Sequence, residues 1–320
     1  MPILQLALGL VGLLAGAEFA VKGALGVARR LGWPAWLTGL VLLATGTSLP
    51  ELFVAGFAAP EHPDLGLGTL FGSNVFNSTV VFGALLLVAR RPMPAEGVGR
   101  LPAVLLVGGS ALAFLAFGAA EIPGWAAPAL LLGYALLLIS SVRSGTTPRV
   151  DEADILPGGV AAAPGRSMAW SLGVMAVGFA ILALGSDAFL RGALGASEAL
   201  GWNEGFVGYL IAAVGTSAPE LLTSWNAARH GHSGAVLGNV FGSNAFNLLI
   251  SGGVVAVLAG APIDPAHLQP QLVVNFAACL LVALPGLLRL PARIPVRFGR
   301  ALGVVLLLAW LLASWQVGLA

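Results

Sequence analysis

The chain has 320 residues, of which 58% are hydrophobic and only 9% are charged, and its formal net charge is +1. Because soluble domains carry about 25% charged residues, a water-soluble fold is not expected, and neither is nucleic acid as a partner. The single cysteine, Cys279, has no partner in the chain, which excludes an intrachain disulfide or a cysteine metal cluster. Membrane lipid is the predicted surrounding of this protein.

Apolar stretches that are long enough to cross the hydrocarbon core recur along the chain. A spanning helix needs roughly 20 residues, and hydropathy with Gly, Pro and charge as boundaries predicts ten such helices. They are predicted at 3–28, 35–59, 66–89, 101–119, 124–142, 169–191, 205–228, 234–259, 269–288 and 300–318. The sequence therefore predicts an all-α membrane protein with ten transmembrane helices.

Basic residues indicate the orientation of these helices. Thirteen arginines fall in alternate loops, at positions 29, 30, 90, 91, 100, 143, 149, 166, 229, 289, 293, 297 and 300. Acidic residues dominate the opposite loops, where Arg191 is the one clear cation. Since cytoplasmic loops are enriched in Lys and Arg, both termini are predicted to lie outside.

One long polar connection divides the chain. Residues 143–168 contain acidic, glycine and proline residues and are predicted to form a cytoplasmic linker. Residues 1–142 and 169–320 are then two five-helix repeats.

The two halves share an internal repeat. Residues 16–26 match 185–195 and residues 45–52 match 214–221, both at an offset of 169, while 71–77 match 241–247 at an offset of 170. Because five is an odd number of crossings, the second half must enter the membrane from the opposite side. Inverted repeats of this kind are typical of secondary transporters that work by alternating access.

Two glutamates in the middle of matched helices are the main candidates for function. Glu51 and Glu220 each end a Gly-Thr-Ser-x-Pro-Glu motif, and an ionisable group at the bilayer centre costs about 3 kcal/mol on insertion scales. Cation binding explains that cost better than a purely structural role. The hydroxyl and amide side chains of the same motifs add neutral oxygens: Thr47, Ser48, Ser73, Asn77, Thr216, Ser217, Ser243 and Asn247.

This all-oxygen set favours a hard cation such as Ca²⁺, whereas zinc and copper sites favour His or Cys. The charge of the two glutamates can be neutralised by one Ca²⁺ or by two monovalent cations. If the protein cannot change its conformation while the site is empty and doubly charged, only the loaded forms switch. Transport is then obligatory antiport. For Asn74 and Asn244, in the Gly-Ser-Asn motifs, helix packing is at least as good an interpretation as coordination.

Two oppositely charged pairs are also repeated. Glu18 with Lys22 and Asp187 with Arg191 have the i,i+4 spacing at which side chains on a helix neutralise each other. We interpret them mainly as structural pairs near helix ends, with gating as the alternative.

The paired motifs resemble those of the sodium/calcium exchanger branch of the cation/calcium exchanger superfamily, in its prokaryotic form. The resemblance spans nearly the whole chain. It implies that Glu51 and Glu220 bind Ca²⁺ and Na⁺ in alternation, that the eight hydroxyl and amide residues complete the sites, and that Na⁺ drives Ca²⁺ transport. Some prokaryotic relatives have an aspartate in place of Asn247, so an ionisable group is missing here and the Na⁺ stoichiometry is an open question.

Several alternatives accompany this interpretation. The main one is an H⁺/Ca²⁺, or more generally divalent cation, antiporter, with Mn²⁺ as another conceivable cargo. A passive channel does not explain the inverted repeat, and an intramembrane hydrolase lacks its usual motifs. We therefore expect a multi-pass transporter in the inner (plasma) membrane of a prokaryote, with no enzymatic activity and no cofactor.

Overall fold

The computed structural model describes residues 2–32, 45–88, 93–94, 99–143, 167–229, 233–288 and 293–319. Within these ranges the chain is almost wholly helical. Met93–Pro94 (β1) pairs with Arg293–Ile294 (β2) in a two-residue antiparallel contact. The prediction of an all-α membrane protein is confirmed at this level.

The helices are α1 (Pro2–Arg30), α2 (Leu49–Ala58), α3 (Pro63–Val88), α4 (Arg100–Phe117), α5 (Ala126–Arg143), α6 (Met168–Leu200), α7 (204–216), α8 (Ala218–Arg229), α9 (233–258), α10 (Pro265–Leu288) and α11 (Val296–Leu319). In the described ranges, eight helical spans are long and apolar enough to cross a membrane, and α7 with the start of α8 forms one of them. Two shorter apolar helices, Leu49–Ala58 and Ala126–Ser141, lie at the second and fifth predicted spans. Ten transmembrane helices stay a prediction, because residues 33–44, with the predicted start of the second span, lie outside the described residues.

Two helices differ from the sequence-based expectation. α6 continues to Leu200 instead of ending near 191, and it stops at Gly201, whose φ of 66° is the left-handed conformation that commonly ends helices. The predicted helix 205–228 is interrupted at Ser217, two residues before Pro219. Proline removes a backbone hydrogen bond and clashes with the preceding turn, which accounts for the break.

The first helices of the two halves pack closely side by side. The backbone of α1 near Gly16 lies against Leu182 of α6, and that near Gly23 lies against Met175, so residue numbers rise in one helix as they fall in the other. The helices are therefore antiparallel. A Cβ atom at Gly16 would lie only 2.6 Å from the backbone nitrogen of Leu182, so glycine is needed for this close contact.

A second glycine contact joins the helices around the centre of the molecule. In α3, a Cβ atom at Gly72 would lie 2.7 Å from the Cα atom of Tyr209 in α7. Three π-helical turns lie in the same region, at Asn77–Val81 in α3, Gly208–Ala212 in α7 and Phe246–Ser251 in α9. Such turns are rare and frequently occur at functional sites.

Candidate functional site

Glu51 and Glu220 both lie in the first turn of a helix that begins directly after an interruption of the helical conformation. α2 begins at Leu49, after Ser48, and α8 begins at Ala218, after Ser217. The proline of each motif suits this position because it lacks the N–H that a first helical turn leaves unpaired. Both glutamate side chains are 0% exposed, and a helix N-terminus is a favourable place for negative charge.

Each carboxylate accepts a hydrogen bond from the serine of the other half. Ser217 Oγ donates to Glu51 Oε1 at 3.0 Å, and Ser48 Oγ donates to Glu220 Oε1 at 3.2 Å. The two helix breaks are therefore in contact, although they are separated by 169 residues in the sequence. This exchange of partners could not be predicted from the motifs, which contain a serine and a glutamate each.

The Gly-Ser-Asn motifs add a second hydroxyl to each carboxylate, this time from the same half. Ser73 Oγ donates to Glu51 Oε1 at 3.4 Å, and Ser243 Oγ donates to Glu220 Oε1 at 3.5 Å. Thr47 Oγ1 lies 3.3 Å from Ser243 Oγ, so it links the halves once more. The structure thus brings seven of the ten predicted residues into two hydrogen-bonded clusters, one around each carboxylate.

Thr216, Asn77 and Asn247 lie in the same region but differ in their hydrogen bonds. The Thr216 hydroxyl donates to the carbonyl oxygen of Ala212 at 3.0 Å, as threonines in helices often do. Asn77 and Asn247 are fully buried in the π-helical turns of α3 and α9. Neither amide forms a hydrogen bond through its nitrogen or its oxygen.

The site therefore contains buried polar atoms that the protein itself does not satisfy. Besides the amides of Asn77 and Asn247, these atoms are Oε2 of Glu51 and Oε2 of Glu220. Buried polar groups without a partner are uncommon and costly. Their chemistry, two carboxylate and two amide oxygens beside several hydroxyls, fits a hard cation as the missing partner. Within the described ranges no group of three or more His, Cys, Asp or Glu residues is placed to hold a metal ion, so a cation here would rely on neutral oxygens as well.

Asn74 and Asn244 have structural partners. Asn74 Nδ2 donates to Asn275 Oδ1 in α10 at 2.9 Å, and Asn244 Nδ2 donates to Ser78 Oγ at 2.7 Å. Asn275 in turn donates to Ser110 Oγ in α4 at 3.2 Å. These bonds of the amide nitrogens support the packing interpretation of Asn74 and Asn244, while the Oδ1 atom of each has no hydrogen-bond partner.

Asn275, the hydrogen-bond partner of Asn74, was not among the residues predicted from the sequence. Asn275 interrupts the apolar helix α10 with a buried amide. A single polar residue in a run of apolar residues was the signal that could have identified it.

The repeated ion pairs form as predicted, but their position differs from the expectation. Lys22 Nζ lies 2.5 Å from Glu18 Oε1, and Arg191 Nη2 lies 3.0 Å from Asp187 Oδ2. α1 runs from Pro2 to Arg30, so its pair lies in the interior of the helix and not near its end. α6 likewise continues beyond Arg191 to Leu200, so the interpretation as pairs near helix ends is wrong for both pairs.

The chain is similar to known proteins over nearly its whole length. The family model described as sodium/calcium exchanger protein matches residues 1–143 and 170–317. CaxA, a candidate antiporter of Alkalimonas amylolytica, is 31% identical over 95% of this chain and 94% of its own length. The sodium/calcium exchanger MaX1 of Methanosarcina acetivorans is 26% identical over 77% of this chain and 80% of its own length. Among solved structures, the sodium-calcium exchanger NCX_Mj soaked with Na⁺ and Sr²⁺ has a TM-score of 0.59 at 25% identity, and the match covers 98% of each chain.

Proposed function

The chain belongs to the sodium/calcium exchanger family, and from this premise we propose that it exchanges Na⁺ for Ca²⁺ across the membrane by alternating access. Membership of this family identifies the chain as a multi-pass membrane protein, a cation antiporter and not an enzyme. The observation that carries the finer proposal is the pair of fully buried carboxylates, Glu51 and Glu220. Each keeps one oxygen atom without a partner.

The proposed cation ligands are the ten residues of the repeated motifs. They are Glu51, Glu220, Thr47, Ser48, Ser73, Asn77, Thr216, Ser217, Ser243 and Asn247. Ca²⁺ takes six to eight oxygen ligands, and this set offers carboxylate, hydroxyl and amide oxygens from both halves. Na⁺ is another hard cation that the same oxygens suit, so the two ions would compete for one region.

Exchange follows from the charge of the site. Two buried carboxylates without a cation are strongly unfavourable in a low dielectric, and a loaded site removes that cost. The net charge of the two carboxylates becomes zero when either one Ca²⁺ or two Na⁺ are bound. The protein would then change its conformation in the loaded forms, which makes the transport of one ion depend on that of the other.

We extend the proposal to the architecture of the whole chain: ten transmembrane helices in two inverted five-helix repeats, with both termini outside. The antiparallel contact of α1 with α6, the first helices of the two halves, supports the inversion. The concentration of arginines in alternate loops supports the orientation. Residues 144–166, which contain most of the proposed cytoplasmic linker, lie outside the described residues. The proposed location is the inner membrane of a prokaryote.

Radioactive Ca²⁺ uptake into proteoliposomes loaded with Na⁺ tests the function directly. An outward Na⁺ gradient should drive uptake, whereas a proton gradient or no gradient should not. Glu51→Gln and Glu220→Gln should each abolish uptake, because an amide can still accept the serine hydrogen bonds but carries no charge.

Two results would contradict the proposal. Uptake that a proton gradient alone drives would establish an H⁺/Ca²⁺ antiporter instead. Equal uptake by the wild type and both variants would remove the two glutamates from the cation site.

A further inference from the structure

A cavity of about 350 Å³ lies between α1 and α8, beside the central site. Its walls include Val11, Leu14, Glu18, Thr47, Pro219 and Leu222, and we call it the α1–α8 cavity. Thr47 belongs to the hydrogen-bonded cluster around Glu220 through its 3.3 Å contact with Ser243, and Pro219 immediately precedes Glu220. One part of the α1–α8 cavity therefore adjoins the residues that we propose to bind cations.

Glu18 contributes a charged group to this otherwise largely apolar wall. Its carboxylate is paired with Lys22, and the two side chains are 38% and 23% exposed, respectively. Charge in contact with hydrocarbon is costly, by about 3 kcal/mol for one residue on insertion scales. A partly exposed ion pair in the interior of α1 is therefore more stable if the cavity beside it contains water.

We propose that the α1–α8 cavity is an aqueous approach to the central site and that Glu18 is a peripheral cation subsite within it. The Lys22 ammonium occupies this subsite until Na⁺ or Ca²⁺ displaces it. The inference rests on the proposed function, because it assigns a path and a waiting position to the transported ions. Lys22 keeps the net charge of the pair at zero, so it limits how strongly the cavity concentrates cations.

The second half of the chain offers a matched control. Asp187 and Arg191 stand at the repeat-equivalent positions in α6 and form the same i,i+4 ion pair, with side chains that are 49% and 66% exposed. Neither residue lines the α1–α8 cavity. Neutralising Asp187 should therefore leave the cation dependence of transport unchanged.

Thiol labelling tests whether the cavity contains water, and it does not depend on transport. The native Cys279 is fully buried, so it should not compete with an introduced cysteine. In lipid nanodiscs, Leu14→Cys should react with a cationic, membrane-impermeant methanethiosulfonate, and Ca²⁺ should slow the reaction. Leu308→Cys, on a side chain of α11 that is 53% exposed, serves as a lipid-facing control that should react with neither this reagent nor a maleimide, because both attack the thiolate, which forms only in contact with water. If Leu14→Cys is as unreactive as Leu308→Cys, the cavity is filled with lipid and the proposal is wrong.

Transport kinetics test the role of the ion pair. Glu18→Gln leaves a positive charge in the cavity and should raise the half-saturating Ca²⁺ concentration by about fivefold, whereas Lys22→Gln should lower it by a similar factor. The corresponding shifts for Na⁺ should be about twofold, because the Coulomb energy scales with the charge of the ion. Asp187→Asn should cause no shift.

A purely structural ion pair gives a different pattern. Loss of either partner would then change half-saturation in the same direction, or reduce only the amount of folded protein, and either result would overturn the proposal. If the wild type shows no Na⁺-driven uptake, the proposed function fails, and the labelling result still decides whether the cavity is aqueous.

Discussion

The charge of the central site predicts how exchange responds to a membrane potential. Glu51 and Glu220 are the two ionisable side chains among the proposed ligands, and both are fully buried. Asn77 and Asn247, at the matching positions of the two repeats, are neutral. Two Na⁺ or one Ca²⁺ then balance the same charge of two carboxylates, so exchange should move no net charge across the membrane.

The size of the effect separates this stoichiometry from the next one. Moving one elementary charge through 100 mV changes the free energy by about 2.3 kcal/mol, which corresponds to about a 50-fold change in an equilibrium ratio. An exchange of three Na⁺ for one Ca²⁺ moves one charge in each cycle and should show that shift. An exchange of two Na⁺ for one Ca²⁺ should show none.

Proteoliposomes with a potential set by valinomycin and K⁺ provide the assay. The Ca²⁺ distribution at equilibrium should be the same at 0 and at about −100 mV for the wild type. Asn247→Asp adds a third carboxylate and should make the distribution sensitive to voltage, because a third Na⁺ is then needed for neutrality. Asn77→Asp should behave in the same way. A wild-type distribution that changes with voltage by about 50-fold would refute the reasoning from two carboxylates.

Two further predictions concern helix packing. Gly16→Ala should destabilise the protein by about 1–3 kcal/mol through overpacking of α1 against α6. In contrast, Gly173→Ala should have little effect, since nothing lies within 4 Å of the Cβ position. Thermal unfolding in detergent measures both, and equal melting temperatures would contradict the close contact. Asn275→Leu should cost about 1–3 kcal/mol because it leaves the buried amide of Asn74 without its acceptor. An unchanged melting temperature would show that this hydrogen bond contributes little.

The ten candidate site residues could be named from the sequence, and their role as cation ligands stays a prediction. Glu51 and Glu220 were identified because a charge in an apolar helix requires a reason and because both recur in matched motifs. Their partners could be named only as a set. The motif does not reveal that Ser217 binds Glu51 while Ser48 binds Glu220, since that depends on how the two halves meet.

Other features depend on packing in a similar way. The motif asparagines looked alike in sequence, yet Asn74 bonds to Asn275 whereas Asn77 keeps both polar atoms unpaired. The repeated ion pairs also looked equivalent, but only Glu18 lines the α1–α8 cavity. In each case residues of the same chemical type are placed in different surroundings by the tertiary structure.

The sequence by itself determined that this protein lies in a membrane, that it contains an internal repeat, and which two charged residues are candidates for cation binding. Those properties follow from composition, periodicity and the cost of charge in hydrocarbon, all of which act locally along the chain. The tertiary structure alone decided which hydroxyl binds which carboxylate and where the cavity beside Glu18 lies. Such contacts join residues far apart in the chain, and the glycine-mediated packing of helices sets their geometry.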